Sequence, residues 1–162
     1  MKVSAQEEYG LRILLRIAKS NSGEGLTIND ISELENLSTS NTAKILRILR
    51  LSYMVESTRG NTGGYALAKP ATEINISEVL QILGGNIYDA QFCSNFKGVG
   101  KLCNNSIDCT IRSLWQLIQL SVNQVVGTLT LADLISPEEI FKQSVIQNLN
   151  IKNPNITEKI IN

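Results

Sequence analysis

The chain contains no histidine. That excludes a histidine-based catalytic triad, a histidine general base, and every metal site that needs imidazole. Net charge is absent too: 15 Lys and Arg balance 15 Asp and Glu over 162 residues. Global charge therefore announces no nucleic-acid partner, and any basic surface must be local. No apolar run approaches the roughly 18 residues that span a bilayer. The opening MKVSAQEEYG carries acid early and has no apolar core before a small-residue cleavage site, so it does not read as a secretory signal. The expectation is a cytoplasmic protein with no membrane contact. Enzyme chemistry is also unsupported. No phosphate-binding glycine loop follows a strand, no nucleophile sits with a base, and no carboxylates are paired beyond surface acids.

What is present begins with helical periodicity. Ser4 followed by Glu7 forms a capping box, and Tyr9, Ile13, Leu14, Ile17 and Ala18 give apolar spacing for a helix over about 5–20. A short second helix follows Thr27, with Asp30 three residues on and Ile28, Ile31 and Leu34 as its expected buried stripe. Ser38 caps a third helix to about Leu51, with Ala43, Ile45, Leu46 and Leu49 inward. Two short helices in tight succession, the second polar at its start, make a helix-turn-helix pattern. Strand character in 53–57, a Gly- and Asn-rich turn over 58–64 and a return strand in 65–67 then predict a β-hairpin wing.

Asn75 and Glu78 open another helix, faced by Ile76, Val79, Leu80 and Leu83 and stopped by Gly84-Gly85. From about Asp108 the chain turns helical again. Ile111, Leu114, Trp115, Ile118, Val122, Val125 and Leu129 recur at three and four residues, and Leu117 and Leu120 widen the apolar surface. A long helix apolar on two sides has two neighbours, most simply its own domain and a partner chain. Ile111, Leu114, Trp115, Ile118, Val122 and Val125 are the expected dimer interface, with Trp115 a packing residue. Thr130 to Leu134 reads as a capped turn, and Pro137 starts a further helix to about Leu149.

The fold class is mostly α with a small β-hairpin wing: a winged helix-turn-helix domain plus a long C-terminal dimerisation helix. The expected divisions are a DNA-binding domain at 1–85, a cysteine-containing loop at 86–108, the dimerisation helix at 109–135 and an extension at 136–162.

Cys93 and Cys103 fall in this loop and Cys109, the third and last cysteine, at its junction with the dimerisation helix. In a reducing compartment, clustered thiols favour a shared metal or redox sensing over structural disulfides. An iron–sulfur cluster, a thiol switch, zinc, and inert packing all remain open. Zinc lacks its usual C-x-x-C knuckle, and packing lacks apolar surroundings. Cys109 precedes the long helix, where the positive dipole end favours thiolate.

RGNTGGYALAKPATEINISEVLQILGG and the opening MKVSAQEEYGLRILLRIA resemble the IscR/NsrR/CymR family of bacterial winged-helix regulators. The resemblance covers about residues 1–134, and the wing around Gly63, Gly64, Tyr65 and Leu67 is its most specific part. It implies a homodimeric transcription regulator, a repressor, on palindromic double-stranded DNA. It also implies an iron–sulfur cluster (2Fe-2S or 4Fe-4S) held by Cys93, Cys103 and Cys109, sensing iron–sulfur supply, nitric oxide or redox state. Some relatives act instead by thiol oxidation or through a partner enzyme. The histidine that serves some members as fourth ligand cannot exist here. Glu8 occupies the position of an N-terminal acidic ligand in some relatives, while Glu7 belongs to the capping box. Tyr53 stands where members often carry Gly, and the tail beyond Pro137 lies outside the resemblance.

DNA recognition needs short polar side chains at the start of the reading helix and cations nearby for phosphates. Thr39, Ser40, Asn41 and Thr42 supply the first set. Lys44, Arg47 and Arg50 supply the second, with Arg59 and Asn61 at the wing tip. Ser38 suits a cap or a phosphate contact. Between Ser38 and Gly60 the only acid is Glu56, so the segment is locally basic. Arg59 resembles the family arginine that enters a minor groove.

Overall fold

The computed structural model describes residues 3–20, 25–58, 63–88, 93, 103 and 107–148. Helix α1 (Ala5–Lys19) starts at the expected box: the Ser4 N–H donates to Glu7 Oε2 at 2.7 Å, and the Glu7 N–H donates to Ser4 Oγ at 3.2 Å. Its inner face buries Ile13, Leu14 and Ile17. Gly10 is required by packing, because a Cβ there would lie 2.3 Å from Leu83 Cδ1. The Gln6 side-chain amide donates to the Leu83 carbonyl at the same junction.

Helices α2 (Ile28–Glu35) and α3 (Thr39–Leu51) form the helix-turn-helix. Thr27 and Asp30 make a second capping box, and the Ser38 hydroxyl accepts the Asn41 N–H at 3.3 Å. The buried stripe of α2 differs from the expectation. Leu34 is 50% exposed, while Ile31, Ser32 and Glu35 are buried. Ile28, Ile31, Ser32 and Glu35 follow a helical i, i+3, i+4, i+7 face, and Leu34 lies off it.

Both helices end in the same hydrogen-bonded reversal. After α2 the Leu37 N–H reaches the Ser32 carbonyl at 2.9 Å and the Asn36 N–H reaches Glu33 at 3.3 Å. After α3 the Met54 N–H reaches Leu49 at 2.9 Å and the Tyr53 N–H reaches Arg50 at 3.1 Å. This reversal needs one left-handed residue, usually Gly or Asn. Asn36 (φ 52°) and Tyr53 (φ 56°) take that conformation. Tyr53 is therefore turn, not strand, and it is 80% exposed. The family's frequent Gly at this position has a direct reason here.

The wing pairs β1 (Val55–Thr58) with β2 (Gly64–Leu67) antiparallel, Val55 opposite Leu67 and Thr58 opposite Gly64. Leu26 adds a third edge: its N–H donates to the Tyr65 carbonyl at 3.0 Å and its carbonyl accepts the Tyr65 N–H at 2.7 Å. Gly25 has φ 79°, and a Cβ there would meet the Tyr65 carbonyl oxygen at 2.8 Å.

A 3-10 turn at Ala71–Glu73 leads to α4 (Ile76–Gly84), capped by Asn75 and followed by Gly85 with φ 80°. Helix α5 (Thr110–Val126) is about 25 Å long by helical rise. Its C-terminal end returns to the winged-helix head. The Ile76 N–H donates to Leu129 at 2.9 Å, the Leu131 N–H donates to Ile74 at 2.8 Å, and Asn75 Nδ2 donates to Gly127 at 2.8 Å. Leu129, expected on the long helix, lies beyond its end and is buried in the head. Helix α6 (Leu131–Ile135) carries a Thr130–Asp133 capping box, and α7 (Glu138–Asn148) packs Phe141 and Val145 against the core. No helix among the described residues is long and apolar enough to cross a membrane.

One buried carboxylate joins α1 to α2. Glu35 is 7% exposed and accepts Arg12 Nε at 2.9 Å and Arg16 Nε at 2.6 Å. Burial pushes its pKa up, but the hydrogen bonds and charges of Arg16 and Arg12 outweigh this and hold it below the ordinary carboxylate value. Arg12 is correspondingly raised, first by its hydrogen bond to Glu35. A carboxyl lowered on folding contributes stability above its unfolded pKa of about 4.5, and that stability is lost as pH falls through the folded pKa. Glu35→Gln should therefore cost on the order of 1–3 kcal/mol at pH 7, with the gap from wild type closing in acid. Chemical denaturation at pH 7 and at stepped pH below 4.5 checks this; a gap constant with pH would refute it. Tyr53→Gly should raise stability by about 0.5–1 kcal/mol by relieving the left-handed residue, measured as a higher thermal midpoint. An unchanged or lower midpoint would remove the strain argument.

Candidate DNA-reading helix and cysteine site

The polar start of α3 is open to solvent. Ser38, Thr39, Ser40 and Asn41 are exposed, and so are Lys44, Arg47 and Arg50 along the same helix. Among the described residues none of these three cations meets a carboxylate, which leaves them available to phosphates. Thr42 must be withdrawn from the base-reading set, because its side chain is fully buried. Its hydroxyl shares a 3.0 Å bond with Ser32, whose own hydroxyl donates to the Ile28 carbonyl at 2.7 Å. Thr42 thus fixes the angle between α2 and α3 and reads nothing. Arg59 and Asn61 lie outside the described residues.

The three cysteines are all half-buried, and none is in a disulfide among the described residues. Cys109 caps α5: its Sγ accepts the Arg112 N–H at 3.3 Å, so sulfur sits at the positive end of the helix. Cys93 Sγ lies 3.5 Å from the Tyr88 hydroxyl. The Tyr88 N–H donates to Gln119 Oε1 at 3.1 Å, and Gln119 Nε2 donates to Asn123 Oδ1 at 2.8 Å. The Cys93 hydrogen bond holds the Tyr88 phenol above its ordinary pKa. Burial and the Cys109 sulfur act in the same direction, and Arg112 opposes them. Cys93 and Cys109 therefore share the surroundings of one tyrosine.

Among the described residues no group of three Cys, Asp or Glu side chains gathers closely enough to hold a metal ion. The donor chemistry nonetheless fits a thiophilic centre: three thiols, one on a helix N-terminus and one under a phenol donor. Glu8 is 58% exposed at its side chain and pairs with Arg12 at 3.7 Å within the chain. Tyr88 and Gln119 were invisible as site residues in the sequence. Neither belongs to a periodic pattern, and only nearness to Cys93 marks Tyr88.

No residue of α5 is buried. Ile111, Leu114 and Trp115, the last expected to be a packing residue, are exposed in the single chain, and Leu117 and Leu120 are exposed with them. Ile118, Val122 and Val125 are half-buried. Val122 faces inward, lining with Leu80, Ile87 and Val126 a cavity of about 180 Å³ between α5 and α4.

The hairpin and paired short helices define a winged helix-turn-helix DNA-binding transcription regulator. Comparison narrows the class. The profile of the Rrf2 family, iron-dependent transcriptional regulators, matches residues 3–137, and the chain belongs to that family. It is 31% identical over 134 residues to an HTH-type transcriptional regulator of Mycobacterium tuberculosis, covering 83% of this chain and 81% of that one. Among solved structures it is similar to CymR, the global cysteine regulator of B. subtilis. The TM-score there is 0.63 at 29% identity, over 83% of this chain and 96% of that one. T. potens IscR gives 0.66 at 25% identity, over 83% and 86%. Members of this family are transcriptional regulators and not enzymes. Helix α7 lies outside the family match.

Thr42 and Asn41 should separate cleanly in experiment. Asn41→Ala is expected to weaken binding to a promoter fragment, by about tenfold for loss of a base contact, with an unchanged thermal midpoint. Thr42→Val is expected to lower the midpoint through loss of the buried Ser32–Thr42 hydrogen bond. Fluorescence anisotropy and thermal melts on both variants decide. If Asn41→Ala binds as wild type, α3 does not read bases through that residue.

Proposed function

We propose that the protein is a cytoplasmic homodimeric repressor that binds a palindromic operator and senses iron–sulfur supply, nitric oxide or redox state through an iron–sulfur cluster. The observation that carries this reading is the placement of the thiols: three cysteines between head and α5, with Cys109 at the first turn of that helix. Similarity to IscR supports it. Cys93, Cys103 and Cys109 would hold the group, with Glu8 of the same or the partner subunit as the oxygen ligand. Bound there, the cluster would supply a redox-active, nitric-oxide-sensitive centre.

The chain's own residues do the rest. Cys109 ties the loop to the start of α5, and Gln119 ties Tyr88 to its middle. Asn75 and the 129–131 return tie its end to the head. The exposed Ile111, Leu114, Trp115, Leu117 and Leu120 provide the surface for a second α5. A change in the loop shifts the population of settings between two heads that must match operator half-sites about one helical turn apart. Arg59 and Asn61 on the wing would complete the DNA contact, with Arg59 in a minor groove.

A second reading is a cluster-free thiol switch, favoured by three free thiols with no described group of three Cys, Asp or Glu close enough to hold a metal ion. Anaerobic purification and reconstitution with iron and sulfide separates the two. The cluster reading expects visible absorption, stoichiometric iron, and loss of both in Cys93→Ser, Cys103→Ser and Cys109→Ser. Glu8→Ala should alter the spectrum while Glu7→Ala should not. Colourless, iron-free protein after reconstitution leaves the thiol switch as the mechanism.

A further inference from the structure

We propose that Tyr88 is the positioning residue of the cysteine site: its phenol O–H holds the Cys93 sulfur while its backbone N–H anchors that sulfur to the middle of α5. The inference rests on the reading of these thiols as the sensing site.

Among the described residues Cys93 and Cys109 each have a hydrogen-bond partner, of different kinds. Cys109 takes a backbone N–H, that of Arg112, at 3.3 Å, which any residue at position 112 except proline would supply. Cys93 Sγ lies 3.5 Å from the Tyr88 hydroxyl, within normal reach for sulfur, and a ligating sulfur, having no proton, can only accept from it. Tyr88 is not part of the buried core. Its main chain is instead fastened to α5 by the 3.1 Å bond to Gln119, itself steadied by Asn123. Tyr88 thus spans from the helix to the first cysteine. Phenylalanine would fill the same space and leave Cys93 without this donor.

The chemical consequence follows from the donor's charge preference. A hydrogen bond to a ligating sulfur withdraws electron density and favours the reduced state of a metal centre, so it raises the reduction potential. In the metal-free protein the same hydroxyl lies against the sulfur that electrophiles attack, so its loss is read in the reactivity of Cys93. Tyr88 therefore sets how readily the site is oxidised without being a ligand.

The test compares wild type, Tyr88→Phe and Gln119→Ala as full-length, anaerobically reconstituted protein. Tyr88→Phe should keep the wild-type thermal midpoint and iron content and show a more negative midpoint potential in a dye-equilibrated titration. Gln119→Ala should shift the potential in the same direction by less. An unchanged potential at full iron overturns the role of Tyr88 and leaves the cluster reading intact. If wild type takes up no iron, the cluster reading fails and Tyr88 is judged on the metal-free protein. There, iodoacetamide labelling at pH 7, read by peptide mass spectrometry, should show the Cys93 to Cys103 rate ratio falling about threefold in Tyr88→Phe. An unchanged ratio overturns the proposal.

Discussion

The arrangement of this protein depends on a short clip of backbone. Residues 129–131 run beside 74–76, joined by two main-chain hydrogen bonds at 2.9 and 2.8 Å and the Asn75 side chain on Gly127. Without it, the described junctions of α5 with the head would be its packing near α4, where a cavity remains, and the Tyr88–Gln119 bond. With it, the end of α5 is fixed to the residues that cap α4, and α4 is pressed on α1 where Gly10 admits Leu83. Movement at the Cys109 end of α5 is therefore movement of a lever whose other end is pinned in the core. Leu129 and Leu131, both buried, make the clip part of that core.

The charge distribution follows the same economy. The protein is neutral overall, yet the reading helix must be positive. Glu35 resolves this by occupying Arg12 and Arg16 on α1, away from α3. Lys44, Arg47 and Arg50 meet no such acid among the described residues. Two cations are thus consumed in joining α1 to α2, and three face solvent where phosphates would lie. Counting charges along the chain could not distinguish the two groups, since both are cations at helical spacing.

Helix starts were legible in the sequence because caps are local. Ser4 with Glu7, Thr27 with Asp30, Ser38, Asn75 and Thr130 with Asp133 all act within three residues. What failed to be legible depends on residues far apart. Leu34 looks like core until Glu35 is known to turn toward α1. Thr42 looks like a base reader until Ser32 is found beneath it. Leu129 continues the apolar rhythm of α5, but Gly127 and Thr128 turn the chain back to the head before it. The turn residue Tyr53 was legible only as a departure from the family, and its left-handed backbone supplies the physical reason.

The candidate site shows the same division. That the thiols would be placed between head and long helix was readable from order along the chain. Their unequal surroundings were not. Cys109 owes its hydrogen bond to helix geometry, which follows from being the residue before Thr110. Cys93 owes its own to a single side chain five residues earlier, held in place by a glutamine thirty-one residues later. The two sulfurs therefore differ in what mutation can take from them: the donor to Cys109 survives almost any substitution, and the donor to Cys93 is one hydroxyl. On the proposed reading of these thiols as the sensing site, a change at Tyr88 alters the surroundings of one sulfur without touching the cysteines, the helix or the reading head.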